Sequence, residues 1–154
     1  MNVVEGDVLN LPFKDDFFDG VYCSHLIEHL YPEDVFKLAN EIGRVLKSGG
    51  VVVIKPPLPS FSFWNDPTHI KPYRPSAIFS IFNVVELGQP TKEGKYCFEF
   101  IDMKFGYHSL YRSYIEPSVN PSRYWFYTVW RGASKFSRLK LPLKDSVTVV
   151  LRKK

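Results

Sequence analysis

The sequence predicts an α/β fold built around a parallel sheet. Two apolar, strand-like runs flank one segment of helical periodicity, giving a strand–helix–strand unit of the βαβ kind, with a right-handed crossover expected. Gly20-Val21-Tyr22-Cys23-Ser24 and Val51–Ile54 are the two runs. Neither alternates regularly with polar residues, as expected of strands covered on both faces.

The helix between them carries its own start and stop signals. Pro32 suits a first helical position, and Glu33 and Asp34 put negative charge where the helix dipole favours it. Val35, Leu38, Ile42, Val45 and Leu46 recur at helical spacing and define one apolar stripe. Arg44 and Lys47 are expected in the last turn, with Gly49-Gly50 as the stop. Pro56-Pro57 ends the second strand. Ahead of this unit, Val3 and Val4 predict a short strand ending at Gly6-Asp7, and residues 9–19 a loop. After it, residues 58–75 hold four more prolines and are expected to be irregular. Residues 76–87 predict a helix with Ile78, Phe79, Phe82 and Val85 on one face. Residues 98–105 and 147–151 predict two more strands, around an aromatic-rich insertion at about 106–145.

With 154 residues, the chain is expected to be one domain with a sizeable core. Within it, 1–57 carries the motifs discussed below, 58–105 a loop, helix and strand, 106–145 the insertion and 146–154 the last strand. A hydrophobic fraction of 45% and a charged fraction of 23% argue against disorder. No apolar run is long enough to span a bilayer, and residues 1–7 lack the basic start and apolar stretch of a signal peptide. A cytoplasmic location is therefore expected. Cys23 and Cys97 show no metal or redox spacing, so two buried thiols and no metal site are expected. Nine basic residues from Arg123 to Lys154 face one acid, Asp145. That end is either a solvated basic face or a surface for nucleic acid or an anionic membrane.

Three stretches together resemble the type 11 group of class I S-adenosylmethionine-dependent methyltransferases. They are Glu5-Gly6-Asp7 with Leu11-Pro12-Phe13, then Phe18-Asp19-Gly20-Val21 running into Ser24-His25-Leu26-Ile27-Glu28-His29, then Glu41 to Gly50 followed by a strand. A looser fourth stretch, Asp66-Pro67-Thr68-His69, is similar to the post-sheet loop of members acting on sugars or lipid-linked glycans. The resemblance implies a Rossmann-like sheet without its first two strands, helices on its faces and a C-terminal antiparallel hairpin. It implies S-adenosylmethionine as cofactor. Asp7 and Val8 stand where the family holds the adenine; Ser24, His25 and Glu28 stand where the cofactor passes. Each has a plainer reading: a strand end for Asp7, a satisfied interior histidine for His25, a helix-start contact for Glu28.

By the same resemblance, the family's glycine-rich turn and its ribose-binding acid fall before residue 1. Their loss implies an affinity for cofactor lower by on the order of 10³-fold in this stretch alone, and an open sheet edge that a second copy or a partner chain covers. Methyl transfer to oxygen needs a base. The candidates are His29 and His69, with Asp66 orienting His69. The expected acceptor is a sugar, lipid-linked glycan or other small molecule. The alternative is a non-catalytic remnant or binding module using the basic, aromatic C-terminal half, where Tyr124, Trp125, Phe126, Tyr127 and Trp130 cluster between Arg123 and Arg131.

Overall fold

A computed structural model describes residues 3–60, 63–84, 86–87, 91–108 and 143–154. The elements in chain order are strand β1 (Phe18–Ser24), helix α1 (Pro32–Val45), strand β2 (Leu46–Lys55), helix α2 (Pro75–Ile81), strand β3 (Phe98–His108) and strand β4 (Leu143–Lys153). Two single 3₁₀ turns, Ile27–His29 and Phe63–Asn65, follow β1 and β2 respectively. Met1–Gly106 and Asp145–Lys154 form one compact unit. The aromatic and basic insertion lies almost entirely outside the described residues.

The four strands form one sheet in the order β1-β2-β4-β3. β1 and β2 are parallel, with Gly20 opposite Val51 and Ser24 opposite Lys55. β4 runs antiparallel to β2, pairing Val51 with Arg152 and Ile54 with Val149. β3 is antiparallel to β4 in turn: Glu99 meets Arg152 and Cys97 meets Lys154, while Gly106 lies against Ser146. This is the expected βαβ unit continued by a C-terminal hairpin.

α1 forms where its signals place it. Pro32 opens it, Glu33 and Asp34 occupy its first turn, and Val35, Leu38, Ala39, Ile42 and Val45 are buried. Val35, Leu38, Ala39 and Ile42 share one core with Val52 and Ile54 of β2, Val147, Val149 and Leu151 of β4, and Ile78, Phe82 and Phe98. Gly43 is required for packing rather than for conformation: a Cβ there would run into the Tyr96 ring.

Four expectations are corrected. Val3 and Val4 form no strand; they are 90% and 57% exposed. Residues 7–10 instead close a turn, with Leu9 N donating to Asp7 Oδ1 and Asn10 N to Asp7 O. Gly49-Gly50 does not end α1. The helix stops at Val45 and β2 begins at once, so Lys47 lies in the strand and pairs with Asp19 at 2.8 Å. The three residues from Phe18 to Gly20 face the six from Leu46 to Val51, and Gly49 at φ +78° takes up this bulge. β1 is not covered on both faces, since Tyr22 is 67% exposed while Cys23 is buried. Finally, α2 spans Pro75–Ile81 rather than 76–87. Asn83 turns left-handed (φ +45°), and its side chain is held by Thr91 N and Gly94 O.

Charges secure the end of the sheet where β2 starts. The Arg44 guanidinium donates to Glu41, Asp15 and the carbonyls of Leu11 and Phe13. It holds the Glu41 carboxyl below the usual carboxylate range. The buried Lys153 ammonium donates to the Leu46 carbonyl at 2.6 Å and to Asp16 at 2.9 Å, and lies over the Tyr96 ring.

Gly43→Ala should destabilise the protein in a denaturant titration, because about 1–3 kcal/mol of overpacking exceeds the ~1 kcal/mol of helix propensity it gains. In a Tyr96→Ala background, which removes the clash, the same substitution should become neutral or stabilising.

Candidate active site

The carboxyl ends of the parallel strands are where ligands enter open α/β sheets. β1 ends there at Ser24, and the chain then turns sharply. His25 adopts φ +50°, unusual for a residue with a side chain, while its N–H still donates to the Lys55 carbonyl. That turn leads into the 3₁₀ segment carrying Glu28 and His29. The Glu28 carbonyl accepts from Ile70 N at 2.7 Å and from Lys71 N at 3.3 Å, which draws the post-β2 loop onto the same end of the sheet.

This loop brings Asp66, Thr68 and His69 to His29. The His29 and His69 rings lie 4.8 Å apart, and His69 also packs on Phe63. Thr68 Oγ1 donates to Asp66 Oδ1 at 2.6 Å, and Thr68 N donates to the same oxygen at 2.9 Å. These bonds hold the Asp66 carboxyl below its usual range. With its hydrogen committed to Asp66, the Thr68 hydroxyl can only accept from His29 Nδ1, at 3.0 Å; the Thr68 carbonyl, at 3.2 Å, can only accept as well. His29 therefore carries its proton on Nδ1 and its lone pair on Nε2. His69 follows the same rule, since its Nδ1 faces the Phe63 carbonyl at 2.8 Å. Its Nε2 lies 3.7 Å from Asp66 Oδ2.

Glu28 is the unexpected member of this group. It is fully buried, and neither carboxylate oxygen has a hydrogen-bond partner. His25 Nδ1 lies 3.3 Å from Glu28 Oε1, on a side chain 57% exposed. Burial, reinforced by the Glu28 charge, pushes the Cys23 thiol up to about 11. The sequence pointed to Glu28 as a residue near the cofactor; nothing in it signalled an unpartnered carboxylate. In the sequence Thr68 is only one residue of the Asp66–His69 stretch; its role in fixing the His29 proton appears in three dimensions.

The structure thus brings together His25, Glu28, His29, Asp66 and His69, and Ser24 precedes them at the end of β1. No hydrogen bond or ion pair among the described residues joins Asp7 or Val8 to them. Asp7 is exposed in its turn, and Val8 packs half-buried against the core. The expectation of two buried thiols is corrected: Cys23 is buried and Cys97 exposed. No described helix is long and apolar enough to cross a membrane.

The sheet order, the βαβ unit and the C-terminal hairpin are those of class I S-adenosylmethionine-dependent methyltransferases, a class that takes its methyl group from that cofactor. Residues 1–54 match the family described as methyltransferase domain. It is 39% identical over 66 residues to a demethylmenaquinone methyltransferase of Desulfitobacterium hafniense, covering 39% of this chain and 25% of that protein. It is 42% identical over 48 residues to the uncharacterized protein MJ0638 of Methanocaldococcus jannaschii, covering 31% and 20%. The chain therefore spans a quarter or less of these relatives' length. Among solved structures, a SAM-dependent methyltransferase from Archaeoglobus fulgidus aligns with 99% of this chain and 67% of its own, at a TM-score of 0.60 and 24% identity.

Cys97 should react with a thiol reagent within minutes at pH 8, whereas Cys23 should react only after denaturation. Mass-mapped labelling of native and urea-unfolded protein checks this; equal native rates would contradict the packing of β1.

Proposed function

We propose that the protein transfers a methyl group from S-adenosylmethionine to an oxygen of a small-molecule acceptor, a sugar or lipid-linked glycan among the candidates. The observation that carries this reading is the convergence of His29, Asp66 and His69 at the carboxyl end of β1, each imidazole having a lone pair on Nε2. In an in-line displacement the methyl–sulfur bond breaks as the oxygen–methyl bond forms. The acceptor's hydroxyl proton passes to a histidine Nε2, and S-adenosylhomocysteine is left. Asp66 orients the loop through Thr68 and stands beside His69.

The cofactor's place is assigned from the family. Asp7, with an exposed carboxylate able to accept from an amine, and Val8 beside it suit the adenine. Ser24 and His25 suit the path of the cofactor, with Glu28 in contact with the His25 ring. The residues present fit this assignment: the left-handed turn at His25 opens the strand end, and Glu28 offers unpartnered acceptor atoms. Calorimetry with S-adenosylmethionine tests it directly. His29→Ala and His69→Ala should each lower turnover by about 10²–10⁴-fold while leaving cofactor affinity within a few-fold. Full activity in both variants would remove the base from the scheme.

We propose also that a second copy or a partner chain covers the free edge of β1. Among the described residues, β1 is paired on one side only, and Tyr22 stands 67% exposed on it. Light scattering across a wide concentration range should show association that Tyr22→Lys weakens; a monomer throughout would count against it.

A further inference from the structure

We propose that Glu28, His29 and His69 bind a divalent transition-metal cation of the zinc class. Three independent features point to it. Each of the three residues offers one ligand atom, and these atoms lie within 4.8 Å of one another. Small closing movements bring such a set onto one ion at the ligand distances of about 2.0–2.2 Å that zinc takes.

The second feature is the Glu28 carboxylate. It is wholly removed from water and receives no hydrogen bond. Such burial costs several kcal/mol unless a positive partner is supplied. His25, on the exposed side, is a single contact to one oxygen; a cation on the inner side supplies the rest.

The third feature is the state of the two imidazoles. Both Nδ1 atoms are tied to backbone carbonyls, His29 to Thr68 and His69 to Phe63. That is how proteins orient metal-binding histidines, because it fixes the tautomer and presents the Nε2 lone pair. Two imidazoles and one carboxylate form the ligand set of open, catalytic zinc sites and of related transition metals. The hard, all-oxygen shell preferred by magnesium and calcium does not match it.

Metal binding itself needs no methyl transfer. Its mechanistic role rests on the proposed function: in metal-loaded protein the cation would replace the free histidine base, making an acceptor hydroxyl at its open position more acidic, and that proton would leave to solvent.

The test uses chelator-treated protein titrated with Zn²⁺ by calorimetry and with Co²⁺ by visible absorption. One equivalent should bind, with a cobalt spectrum of low coordination number. Glu28→Gln, His29→Ala and His69→Ala should each weaken binding by more than about 100-fold. Thr68→Val, one shell out, should weaken it by about 10–100-fold. Lys37→Ala, on the exposed face of α1, should bind as the parent does, and circular dichroism confirms that each variant is folded. No binding by the folded parent at sub-millimolar metal, or binding unchanged in Glu28→Gln and His69→Ala, overturns the site. Binding with no methyl transfer supports the site and counts only against the reaction. Chelator-resistant methyl transfer without any binding leaves the reaction standing and overturns the metal.

Discussion

The parallel pairing of β1 with β2 is the constraint on which the rest of this structure depends. Its register, Gly20 opposite Val51 through Ser24 opposite Lys55, makes both strands end at the same level. The ladder even continues one step past the strand, through His25 N and the Lys55 carbonyl. Two chain segments more than thirty residues apart thus release their loops side by side. Glu28 completes the junction by accepting two backbone bonds from the second loop. His25, Glu28, His29, Asp66 and His69 converge because their backbones are fastened together first.

Much of this frame was legible in the sequence. Pro32, the two acids after it and the spacing from Val35 to Val45 specify α1, because capping, dipole and periodicity agree there. What was not legible depended on partners. Val3 and Val4 have strand propensity, but no described strand pairs with them, and β-structure is made by pairing rather than by composition. Gly49-Gly50 reads equally as a helix stop and as a bulge; the choice fell to the bulge because Phe18 pairs with Leu46. α2 stops early through long-range bonds from Asn83 to residues 91 and 94.

The site divides in the same way. His29, His69 and Asp66 could be picked from local motifs, yet no spacing rule brings residue 29 to residue 69. The Glu28 carbonyl does that, and a backbone acceptor leaves no mark in a sequence. The proton positions on the two rings are a further step removed. They follow from which atoms can only accept, and hence from the direction of the Thr68 hydroxyl.

The buried Lys153 ammonium has a consequence for how the molecule divides its tasks. It joins residue 153 to residues 16 and 46, at the opposite end of β2 from His25. The seven residues of β1 that pair along it span the same two ends, roughly 20 Å when extended. Over such a distance, perturbations that share no partners combine additively. Rigidity is thus set at one pole and chemistry at the other. Selection can retune the polar cluster residue by residue without renegotiating the electrostatics that hold the other end of the sheet.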